Sequence, residues 1–182
     1  MNIDRRTALG LLGLGVSPAK MQAAQAHMHA IGKNMQAPYT LQFFSEAENR
    51  LLDRVAEMIL PADDHSPGAH EAQVSHYIDL IAANSGEKQR ADWKRRLAAF
   101  EGAARNRFGA SFLELRAEQQ AGLMDAMAAA EARPPDDAGR FFVDVKKATL
   151  FAYYSSPVGL LRELEYAGNK EVAQFAGCGT TK

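Results

Sequence analysis

The residues best suited to chemistry in this chain lie close together: Asp63, Asp64, His65, His70 and His76. Carboxylates and imidazoles are the ligands of zinc and of several transition metals, so the group raises the question of a metal site. The spacing matches no known ligand frame. His70 and His76 are six positions apart, whereas a helix brings residues three or four apart onto one face. The stretch PADDHSPGA, residues 61–69, has the composition of a loop, in which aspartate caps backbone amides while proline and glycine set the turns. A solvated loop and a metal-dependent site both remain open on this reading.

Other reactive residues carry less. Cleavage of the chain after Ala26 would make His27 N-terminal, and an amine plus an imidazole, with His29 nearby, can chelate copper. No period-two segment supplies a substrate-binding sheet to go with it. Cys178 is the single cysteine, so an intrachain disulfide is impossible. One thiol cannot hold an iron–sulfur cluster, which takes about four. Cys178 is therefore a surface cysteine, or one covered by or bonded to a partner. The sequence has no Gly-rich phosphate loop, no GxGxxG and no serine elbow, and so nothing that would bind flavin or nicotinamide unaided. No catalytic, cofactor-binding or metal residue is assigned. The net charge of −1 argues against nucleic acid as the main partner.

The N-terminus has the form of a targeting segment. Arg5 and Arg6 precede a mildly apolar run, TALGLLGLGV, with Lys20 just beyond it. Paired arginines, a glycine- and alanine-rich apolar part and a following positive charge resemble a twin-arginine signal, with Asp4 and Leu9 also in matching places. Ala24 and Ala26 frame a small-x-small cleavage site. The expected organisation is a signal at 1–26, a linker at 27–42 and a helical domain with an extended C-terminal tail at 43–182. No apolar run approaches the ~20 residues that cross a bilayer.

The domain is expected to be all-α, an irregular bundle of five or six helices. Ser45 and Glu48 fit a capping box ahead of the apolar stripe Leu51, Leu52, Val55, Met58 and Ile59, and Pro61 stops that helix. Val74, Tyr77, Ile78 and Ile81 mark a second helix. A third runs from about Glu87 to Phe108. Trp93, Leu97, Phe100, Ala104 and Phe108 are expected to face the core, with lysine and arginine on the other side and Gly109 as the stop. Phe112, Leu113 and Leu115 form a short apolar piece. A helix follows from about Ala117 to Glu131. After Pro134 and Pro135, Asp136 or Asp137 caps a helix carrying Phe141, Phe142, Val145, Thr149 and Phe151. Pro157 can open a last short helix with Leu160, Leu161 and Leu164.

Several of these stretches together resemble a known family. Phe44-Ser45-x-x-Glu48, the helix end Ile59-Leu60-Pro61, Pro67-Gly68-Ala69 and Tyr77-Ile78-Asp79 are followed by Phe151-Ala152-Tyr153-Tyr154-Ser155-Ser156 and by Glu163-Leu164-Glu165-Tyr166-Ala167-Gly168-Asn169. Their order and spacing resemble the gluconate 2-dehydrogenase subunit 3 family, across residues 43 to 178. The chain departs from the family pattern at Glu165, where glycine is usual, and at Ala167, where proline is common. The resemblance implies a non-catalytic small subunit of a periplasmic dehydrogenase of sugars, sugar acids or polyols, associated with the inner membrane through its complex. It implies FAD in a large subunit that resembles glucose–methanol–choline oxidoreductases, a cytochrome subunit carrying haem c, and export of the folded pair by the twin-arginine translocase. The alternative is a self-contained periplasmic metal-dependent enzyme using Asp63, Asp64, His65 and His70. The aromatic C-terminal segment, with Tyr153, Tyr154, Tyr166, Phe175 and Cys178, is the expected contact with the flavin subunit, because aromatic residues are over-represented at interface centres.

Overall fold

The computed structural model describes residues 39–166 and Gly168. Arg5, Arg6, Ala24, Ala26, His27 and His29 lie outside the described residues, as do Phe175 and Cys178. The compact unit that holds the helices begins at Leu41. Its described part is all-α: α1 (Glu46–Ile59), α2 (Val74–Ala83), α3 (Glu87–Phe108), α4 (Ala117–Ala129) and α5 (Asp137–Ser155). A 3-10 turn (Phe112–Glu114) joins α3 to α4, and a π-helical turn (Gly159–Glu163) follows α5.

Local chemistry fixes most of these boundaries. Ser45 accepts the Glu48 amide on its hydroxyl while Glu48 accepts the Ser45 amide, so two free donors at the start of α1 are satisfied reciprocally. Leu60, immediately before Pro61, leaves the helical region with φ −136° and ψ 78° and ends the helix. Gly109 closes α3 in the left-handed region with φ 79°, where a Cβ would be disfavoured. Asp136 caps α5 by accepting the Gly139 amide at 2.9 Å.

The amphipathic faces then meet around α5, which packs against α1, α2, α3 and α4. Phe100 of α3 is fully buried, and its ring lies 4.9 Å from that of Phe112 and 5.0 Å from that of Phe141. Leu97 and Ala104 are buried beside it, while Trp93 and Phe108, expected inside, are half-buried at the two ends of that stripe. The larger departure is on α5. Phe141, Phe142, Val145 and Thr149 are buried and Phe151 is 63% exposed, while Tyr153, expected at the partner contact, is the buried aromatic at that end. The last segment forms a single π turn, leaving Leu161 and Leu164 exposed.

One buried charge ties the segment before α1 to the bundle. Asp79 on α2 has no exposed surface. Its carboxylate accepts the backbone amides of Gln42 at 2.7 Å, Phe43 at 3.0 Å and Phe44 at 2.7 Å. A carboxylate taken out of water needs such charge-assisted partners. The anchored segment sets Phe44 edge-on to Trp93, with centroids 6.0 Å apart, and places Phe43 under Arg90 and Lys94. Replacing Asp79 with Ala is expected to cost about 3 kcal/mol or more, because three donors to a charged acceptor lose their partner. Thermal denaturation measures the loss, and limited proteolysis should cut near Gln42 earlier than in the unmodified chain.

Candidate functional site

The structure disperses the aspartate and histidine cluster. Asp63 accepts the amides of Ser66 and His65, both at 2.8 Å, and these two bonds hold its carboxyl below the ordinary range. Asp64 is exposed. His65 Nε2 lies 3.3 Å from the Glu163 carbonyl oxygen. The ring of His70 points elsewhere, with Nδ1 2.6 Å from Asp53 Oδ2, and His76 sits half-buried on α2. Among the described residues no three His, Cys, Asp or Glu side chains converge as a ligand set. Ser75 Oγ donates to the other oxygen of Asp53 at 3.4 Å. That order, with the carboxylate in the middle, does not let the imidazole take a proton from the serine, as nucleophilic activation requires.

These polar groups instead close the loop between α1 and α2. Glu57 accepts the amides of Ala62 at 3.3 Å and His70 at 2.8 Å, bracketing the loop from α1. Further in, Ser66, 7% exposed, and Tyr153, 1% exposed, place their hydroxyl oxygens 2.8 Å apart. Tyr153 donates to the Pro67 carbonyl at 2.6 Å, and Ser66 donates to Glu163 Oε2 at 2.7 Å. Loop, α5 and π turn are thereby clasped at one point. Gly159 starts the π turn against the last turn of α5, where a Cβ would collide with the Tyr153 carbonyl group. Neither Ser66 nor Glu163 stands out in the sequence as a functional position. The local signal is that Ser66 directly precedes Pro67-Gly68-Ala69 and that Glu163 opens the last of the family-like stretches.

The basic side of α3 is largely matched by carboxylates. Lys94 pairs with Glu48 at 2.6 Å, Arg95 with Asp92 and Asp137, Arg96 with Asp144 and Asp92, and Arg105 with Glu101. Burial pushes the Glu48 carboxyl up, but the hydrogen bonds from Lys94 and Ser45 outweigh it and hold the group below its ordinary value. These pairs join α3 to α1 and α5, so that face belongs to the bundle as much as to solvent.

The expected contact residues divide. Tyr153 is internal, with its hydroxyl engaged by the loop, and offers no surface to a partner. Tyr154 is half-buried and stands edge-on to Tyr153 at 5.3 Å. Tyr166 is 48% exposed, and Leu161 and Leu164 are exposed as well. Among the described residues the other strongly exposed aromatic is Phe151.

A family model described as gluconate 2-dehydrogenase subunit 3 matches residues 46–172, from the first residue of α1 to beyond the π turn. The chain belongs to that family. No match is found among curated proteins or among solved structures.

Two outcomes test this geometry. Tyr153→Phe is expected to destabilise the fold by about 1–3 kcal/mol, since a buried carbonyl loses its donor; chemical denaturation measures it. The second concerns pH. The hydrogen bond and the charge of Asp53 raise the pKa of His70 above 6.5. The stabilisation is therefore complete below 6.5 and fades as pH rises through the raised value. It is small, because the His70 side chain is 73% exposed. Comparing thermal midpoints of the unmodified chain and Asp53→Asn across this range should show a gap that closes toward alkaline pH.

Proposed function

We propose that this member of the gluconate 2-dehydrogenase subunit 3 family is the non-catalytic small subunit of a membrane-associated flavin dehydrogenase. The complex oxidises a sugar, a sugar acid or a polyol. The observation that carries the reading is the family match across residues 46–172, which takes in every described helix. The family is defined as one subunit of a dehydrogenase, so a multi-subunit assembly is implied. The polar side chains of the described domain support a scaffolding role, since Asp79, Ser66, Tyr153 and Glu57 are spent on holding segments together.

In this reading FAD belongs to the large subunit, which resembles glucose–methanol–choline oxidoreductases. A cytochrome subunit with haem c takes the electrons onward. The assembly works in the periplasm and is held at the inner membrane through the complex. Arg5 and Arg6 followed by a weakly apolar run support export by the twin-arginine translocase. The logic is one of timing: a flavin enclosed during folding must be inserted before transport, and this route passes folded cargo. A small subunit bound to the folded flavoprotein can then supply the signal for both.

Co-expression of the full chain with its flavin subunit tests the proposal. The pair should co-purify from the periplasmic fraction with flavin absorbance, and Arg5→Lys with Arg6→Lys should leave both in the cytoplasm. Normal periplasmic yield of the double variant would remove the export role. Failure of the two chains to co-purify would remove the subunit role.

A further inference from the structure

We draw no further inference here: the strongest candidate, the open polar cavity between α1 and the start of α2 lined by Asn49, Arg50, Asp53, His70, Glu71 and His76, mixes cations with carboxylates and so selects no ligand chemistry.

Discussion

The bundle depends on a buried carboxylate. Asp79 is enclosed on α2 and accepts three successive backbone amides from the segment that leads into α1. Removing such a group from water is costly unless charge-assisted bonds replace hydration. Here the replacement comes from backbone, so the bonds fix a conformation as well as an energy. With residues 42–44 fixed, Ser45 is positioned to cap α1, Phe44 meets Trp93, and Phe43 lies beneath two cations of α3. Three helices are oriented through one side chain.

A second junction works at the other end of the chain. Ser66, Tyr153 and Glu163 bring the α1–α2 loop, α5 and the π turn to one point. The segments that carry the family likeness are the ones these two junctions connect: Phe44-Ser45 with Asp79, and Pro67 with Tyr153 and the stretch opening at Glu163. A family recognised by motifs of this kind is recognised by its framework.

Helix boundaries were legible in the sequence because their causes are local. Ser45 with Glu48, Gly109 and Asp136 each act within a few residues, and each stands where the structure uses it. The junctions were not legible for the converse reason. Asp79 finds its amides 35 to 37 positions away, and Ser66 finds Glu163 97 positions away. Nothing in a single sequence distinguishes such an aspartate from a solvated one. On α5, residues two apart differ by about 200° around the axis, so Phe151 and Tyr153 lie on nearly opposite sides. Periodicity alone could not say which aromatic faced inward, because this helix is packed by neighbours on several sides. The partners of the lysines and arginines of α3 were illegible for a similar reason, since Glu48, Asp137 and Asp144 reach them from other helices.

The span of the Ser66 clasp bears on how the protein is made. A ribosome adds roughly 5–20 residues each second. Ser66 therefore waits on the order of 5–20 s for Glu163 to be synthesised, and α1 and α2 wait nearly as long for α5, the helix that covers them. Throughout that interval Leu52, Val55, Val74 and Ile78, all fully buried in the finished fold, have no cover from α5. A chain that stops before Tyr153 therefore lacks both the end of the helix on which α1 and α2 pack and the hydroxyl that ties down the loop between them.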